Sequence, residues 1–255
     1  MLKKVISAEW YKIRTSFFLL IFLFLYFFYG LFQYTRIDDA IFGIVGENAV
    51  YLFPAFGSLF FGFMNAIIFG YIGGDEYRSG RISNIISSGI SRQGYIAAKM
   101  IVSLCLATVV SLLSFLLFDA LIFYRLHLSP LDFLKNNGVS YPMFLLTFVL
   151  QQSVMAALFL TIGCLVRKQL VGIVTSLILV YFDAILNQVA ADGFISVLRS
   201  FAGYTPVTVL KEIGEKFAMD PGIYSEYIVH DMVSCGLLIV IIVVGMMIFC
   251  RRRNV

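Results

Sequence analysis

Six apolar runs of bilayer length, joined by short polar links, leave this chain few ways to fold. A hydrocarbon core is about 30 Å thick and takes about 20 apolar residues to cross as a helix. The segments 17–34, 50–72, 97–124, 142–166, 170–190 and 232–250 are all candidates on that ground. Within lipid each backbone N–H and C=O has to be satisfied inside the protein, which helices achieve segment by segment. The pattern predicts an all-α integral membrane protein, with residues 1–255 forming one transmembrane domain. Composition points the same way: 60% of residues are hydrophobic and 13% charged, against about 45–50% and about 25% in water-soluble domains. The first run is too long for a signal-peptide core and lacks an A-x-A site before the polar loop, so it reads as a retained span.

Charge placement sets the expected orientation. Thirteen of the nineteen Lys and Arg residues fall on one side: Lys3, Lys4, Lys12 and Arg14, the four between Arg78 and Lys99, Arg167 and Lys168, and Arg251 to Arg253. The positive-inside rule makes that side cytoplasmic, so both termini are expected inside, as an even number of spans requires. The basic balance is thereby explained by topology, without a nucleic-acid partner.

The links differ in length. Spans four and five are joined only by "RKQ", 167–169, which demands a tight antiparallel hairpin. The longest link, 191–231, is expected outside. It contains "FISVLRSFAGYTPVTVLKEIGEKF", whose apolar residues recur at mixed three- and four-residue steps. One or two short amphipathic helices are expected there, at the outer membrane surface or dipping into it, with a break at Pro206.

Little catalytic chemistry is visible. "GISRQGYI", Gly89 to Ile96, has the two glycines of a phosphate loop, but Tyr95 and Ile96 stand where Lys and Ser or Thr are needed. Cys105, Cys164, Cys235 and Cys250 lie within or at the ends of apolar runs without metal-ligand spacing, and no metal site is expected. Neither a His–Glu pair of protease type nor a Ser–His–Asp arrangement is found, so an enzyme is not expected. Ionisable groups within spans suggest function by default. Asp119 lies near the end of its run and reads as a near-surface, solvated carboxylate. Asp183 is deeper, with Asn187 one turn on. Together with Asn65, Gln151 and Gln152 these two form the set able to line a polar path; hydrogen bonding between helices is the alternative. The "GYIGG" segment, Gly70 to Gly74, has spacing that permits close helix approach.

Two amphipathic elements are expected on the cytoplasmic side. In "MLKKVISAEWYKIRTS", residues 1–16, Val5, Ile6, Trp10 and Ile13 share a helical face, with Lys4, Lys12 and Arg14 off it. Such a helix lies flat on the inner leaflet. In the loop 75–94, Asp75 and Glu76 close the second span and Gly80 allows a turn. Ile82, Ile85, Ile86 and Ile90 then fall on one face of a short helix, with Gly89 as its C-cap. Ser91 is placed to cap the helix that becomes span three, with Arg92 and Lys99 at the inner surface.

An interfacial "EWxK" helix, six spans and a loop ending in "SRxxYIxAK" together resemble the membrane subunit of a type-2 ATP-binding-cassette exporter, over essentially the whole chain. The resemblance implies that the loop 75–94 is a coupling helix docking on a separate ATPase, through Glu76, Gly80, Arg81, Ile82, Ile85, Ile86, Ile90 and Arg92. It implies that Glu9, Trp10 and Lys12 belong to a connecting helix. ATP and Mg would be bound by the partner ATPase and no cofactor by this chain. A second permease chain, making a homodimer, would complete the pathway in a bacterial plasma membrane. The small, Phe-rich members it resembles export amphipathic or antimicrobial peptides or confer resistance to them. The rival expectation is an ion-coupled secondary transporter using Asp183 or Asp119.

Overall fold

The computed structural model describes residues 2–36, 44–78, 87, 89–191, 206–219 and 225–252. They are almost wholly helical, and none of the described residues is in a strand. In chain order the helices are α1 (Leu2–Thr15), α2 (Phe17–Arg36), α3 (Leu52–Arg78), α4 (Arg92–Arg125), α5 (Pro130–Asn136), α6 (Ser140–Val166), α7 (Gln169–Ala191), α8 (Pro206–Met219) and α9 (Ser225–Arg252). A 3-10 turn, Gly46–Tyr51, leads into α3.

Four helical stretches are long and apolar enough to cross a membrane: Gly57–Asp75 in α3, Arg92–Arg125, Ser140–Val166, and Asp231–Ile248 in α9. Lys3–Thr15 and Phe17–Tyr29 make a fifth only as a pair, because the chain bends by 71° between them. Within α7 the apolar stretch is the shorter Gln169–Ile185. The described residues thus form a multi-pass helical membrane protein with four or five such helices, where the sequence suggested six. Helices α2 and α7 themselves run 20 and 23 residues.

The bend has a local cause. Ser16 stands between the two helices; its N–H donates to the Lys12 carbonyl at 3.0 Å, and its hydroxyl accepts from the Leu19 N–H at 3.4 Å. Ser16 therefore ends α1 on its backbone side and caps α2 with its side chain. The α6–α7 hairpin is as tight as "RKQ" demanded. Arg167 takes a left-handed conformation, φ 60°, and its N–H closes α6 on the Gly163 carbonyl.

At the centre, α3 lies against α6 and α7, with α4 and α9 on the remaining faces of α6. Helix α2 packs on α3 and α4, and α1 on the start of the bundle through α4. Helix α8 begins at Pro206, the expected break, and folds back onto α3. Its Phe217 is buried between Tyr51 and Phe144, with ring centroids 5.3 and 5.1 Å away. Helix α9 is buried over only 11% of its apolar stretch.

Candidate functional site

The end of the bundle facing the loop 75–94 is built from two packed blocks. In the first, α3 meets the α6–α7 hairpin at glycines. A Cβ on Gly73 would lie 2.6 Å from the Leu160 carbonyl oxygen and 2.9 Å from the Gly163 Cα. One on Gly74 would lie 2.5 Å from the Gln169 Cα, and one on Gly172 would lie 2.9 Å from the Gly163 Cα. Three backbones thus touch with no side chain between them, as small residues allow in membrane helices. The spacing read from "GYIGG" is realised here, and Gly163 and Gly172 supply the facing surfaces.

The second block joins α1 to the first turns of α4. Ser91 caps α4 as expected: its backbone is extended, and its hydroxyl accepts from the Gly94 N–H at 3.1 Å. Gly89, at φ 85°, occupies the left-handed region that suits a C-cap glycine. Tyr95, Ile96 and Lys99 follow on α4 and are buried. Lys99 donates to the Tyr95 hydroxyl at 3.3 Å and lies 5.6 Å from that ring's centroid. Lys99 was expected at the inner surface; it is instead 3% exposed, on a helix against which α1 packs.

Helix α1 is amphipathic, but its buried edge is turned from the expected one. Val5, Glu9 and Ile13, spaced by four, are buried, Ile6 is half-buried, and Trp10 is exposed beside the more exposed Tyr11. Glu9 can sit inward because Lys12, one turn on, pairs with it at 2.5 Å. Its face therefore meets protein through Val5 and Ile13, while Trp10 and Tyr11 are exposed away from it.

Of the residues assigned to the coupling loop, Glu76 lies in the last turn of α3, Ile90 is half-buried against the core, and Arg92 opens α4 with its side chain exposed. Gly80, Arg81, Ile82, Ile85 and Ile86 lie outside the described residues. The loop's two ends are nevertheless fixed: one continues the glycine-packed α3, the other the capped and covered α4.

Asn65 of α3 and Gln152 of α6 come together: the Asn65 amide donates to the Phe61 carbonyl at 2.8 Å and to Gln152 Oε1. Tyr26 of α2 donates to the same Oε1 at 3.3 Å. All three are buried, and Gln152 Nε2 has no hydrogen-bond partner among the described residues. This knot ties α2, α3 and α6. Beside it lies a gap of about 10 Å³, room for a single water. Tyr26 escaped the sequence reading because a tyrosine in a Phe-rich run carries no pattern. Gln151 is buried on an adjoining face of α6, and Asp183 is buried on α7. Asn187 lies further along α7, its side chain outside the described residues.

Asp119 departs from expectation. Its side chain is buried and accepts from the Tyr141 hydroxyl. Nearby, the buried Phe133 of α5 packs against Phe123 at 5.3 Å and Tyr141 at 5.6 Å. The signal for α5 is present in the sequence, as Ser129 followed by Pro130 at the first helical position and Asp132 in the first turn.

Among known families, residues 5–183 match the model described as ABC-2 family transporter protein. The match takes in α1, both blocks and the loop between them. No curated protein and no solved structure matches.

Proposed function

The chain belongs to the ABC-2 transporter family, and on that premise we propose that it is the permease subunit of an exporter powered by a separate ATPase. The observation that carries this reading is the two-block footing of the loop 75–94. A push on that loop would reach α3, α6 and α7 through backbone contacts that have no slack. It would reach α4, α1 and α2 through the buried Tyr95 and Lys99. A device that rocks one group of helices against another needs such an attachment, since packed interfaces switch between arrangements and do not stretch. The driving partner must bind one arrangement better than the other.

In this reading the ATPase binds ATP and Mg and docks on Arg81, Ile82, Ile85, Ile86 and Ile90, with Glu76, Gly80 and Arg92 shaping the loop. Helix α1, with Glu9, Trp10 and Lys12, ties the loop's exit to the inner leaflet. Six spans with both termini inside, a homodimeric permease and a bacterial plasma membrane complete the proposal. Amphipathic or antimicrobial peptides are the proposed cargo.

The test is purification of the full chain together with a co-expressed ATP-binding-cassette ATPase from the same organism. The pair should co-elute, and Ile85→Asp with Ile86→Asp should release the ATPase and abolish ATP-dependent export while leaving the chain in the membrane. Transport that survives this change, but is lost with Asp183→Asn and with a proton uncoupler, would overturn the proposal in favour of an ion-coupled secondary transporter.

A further inference from the structure

The exposed face of α1 differs in kind from its buried one. Glu9, the single acidic residue of this helix, is buried with Val5 and Ile13, so no negative charge remains on the outer surface. That surface carries Lys3, Lys4 and Arg14, with Ser7, Trp10 and Tyr11, all exposed. Lys3, Ser7, Trp10 and Arg14 follow at steps of four, three and four and make one row along the helix, with Lys4 and Tyr11 beside it. Lys12 is held by Glu9, whereas Lys3, Lys4 and Arg14 form no ion pair among the described residues. The surface then changes where α1 ends. After the 71° bend the exposed side chains are large and apolar, beginning with Phe17, Leu20, Ile21 and Phe24. Arg14 and Phe17 are three residues apart, so exposed cation gives way to exposed hydrocarbon within one turn. In a chain that crosses a membrane, such a step belongs at the level of the lipid headgroups.

Three cations with two amphipathic rings, at the edge of a hydrocarbon-depth strip, fit a surface of phosphate headgroups. Apolar insertion is not what would hold α1 there, because Val5 and Ile13 are already buried against protein. The attraction has to come from charge, and lipid without net charge gains little from it. Each Lys or Arg close to an anionic membrane surface adds about fivefold in affinity. We infer that the exposed face of α1 is a binding surface for anionic phospholipid, with Lys3, Lys4 and Arg14 meeting headgroup phosphates and Trp10 and Tyr11 seated among them. This inference deepens the placement of α1 at the inner leaflet and rests on it. An acidic groove on an ATPase is the competing occupant. Continuity with the apolar strip at Phe17 favours lipid, since it puts Arg14 beside the hydrocarbon boundary. Because α1 packs on α4, lipid bound here also anchors the exit of the loop 75–94.

Trp10 is the chain's single tryptophan and lies on this face, so its fluorescence reports the surface directly. The full chain, without any ATPase, is placed in phosphatidylcholine nanodiscs. These are doped with brominated phosphatidylglycerol or, at the same mole fraction, with brominated phosphatidylcholine. Quenching of Trp10 should show phosphatidylglycerol preferred by at least about tenfold, within what three charges supply. Salt at about 1 M, where the Debye length is about 3 Å, should remove most of that preference. Lys3→Gln with Lys4→Gln and Arg14→Gln should abolish it. Ser7→Glu keeps all three cations and sets an acid among them; it should cut the preference several-fold, and it keeps the test intact if the triple variant inserts poorly. Lys135→Gln with Lys211→Gln, exposed cations on α5 and α8, should leave it unchanged. Equal quenching by the two lipids would overturn the proposal while leaving α1 at the membrane. No quenching by either would overturn that placement as well. A preference that survives both the triple variant and Ser7→Glu would also overturn it, and if the triple variant then releases a co-expressed ATPase, the face belongs to that protein. None of these readings depends on the energy source, so failure of the ATPase proposal would leave them standing.

Discussion

The two ends of α3 are packed by opposite means. Toward the loop 75–94, Gly70, Gly73 and Gly74 bring its backbone against those of α6 and α7. At the other end, Phe53 and Phe61 enter a cluster of rings with Phe115, Phe118 and Phe148, at centroid separations of 4.7 to 6.0 Å. Lipid tails are as apolar as the helices, so neither end is held by a hydrophobic gain; both depend on packing. Glycine contacts place rigid backbone on rigid backbone. Ring contacts are many, each weak, and can be redistributed by small rotations. The difference suits a helix that receives force at one end and yields at the other.

The largest expected effect comes from spoiling the rigid end. Gly73→Val would put side-chain atoms where the Leu160 carbonyl and the Gly163 Cα already stand at 2.6 and 2.9 Å from the first of them. Overpacking typically costs about 1–3 kcal/mol and occasionally more. Here the obstacle is main chain on both sides, which cannot turn aside, so the upper end or loss of folded protein is expected. Gly236→Val in α9 makes the same chemical change where nothing lies within 4 Å of the new Cβ, and should leave the melting temperature nearly unchanged. Equal losses at both positions would remove the argument that α3, α6 and α7 lock through their backbones.

The ring-packed end should be damaged less and recover more readily. Phe53→Ala opens a void among Phe61, Phe115, Phe118 and Phe148. The loss should not exceed the about 3–5 kcal/mol such truncations cost in water-soluble cores. Phe53→Met should restore most of it, since an unbranched thioether fills irregular space. Recovery no better than with Phe53→Ala, in thermal melts of the purified chain, would show this end to be as unforgiving as the glycine end.

What the sequence disclosed, and what it hid, follows the same division. Features set by neighbours along the chain were legible: the apolar runs, the "RKQ" hairpin, the Ser91 cap, the break at Pro206 and the close approach at Gly70 to Gly74. Features set by distant partners were not. Asp119 reads as solvated, yet it is buried against Tyr141, and Lys99 reads as superficial, yet it is buried on a helix against which α1 packs. Tyr26 reaches Gln152 across 126 positions, a pairing no local pattern encodes. Of the polar residues chosen for a pathway, Asn65 and Gln152 meet, although they lie 87 positions apart. Facing direction on a helix is decided by partners, and a helix buried all round, as α6 is over 151–157, gives no periodicity to read.

Asn65 and Gln152 occupy the middle of α3 and α6, between the rigid and yielding ends, and there the smallest effect is expected. Hydrogen bonds between membrane helices average about 0.6 kcal/mol in double-mutant cycles. Asn65→Leu alone removes the donor while leaving the Gln152 carbonyl to Tyr26; Gln152→Leu alone removes the acceptor that both share. Each should lower stability modestly. The two together should cost less than their sum, because the Asn65–Gln152 bond can be lost only once, while Gln152→Leu also deletes the Gln152 Nε2 and takes the acceptor from the Tyr26 hydroxyl in single and double variant alike. A cycle measured on the purified chain with this sign would mark the knot as a clasp holding α2, α3 and α6 in register. Strict additivity would mean that the three helices are held by their two ends alone, and the contrast between glycine and ring packing would then carry the whole account of how α3 is held.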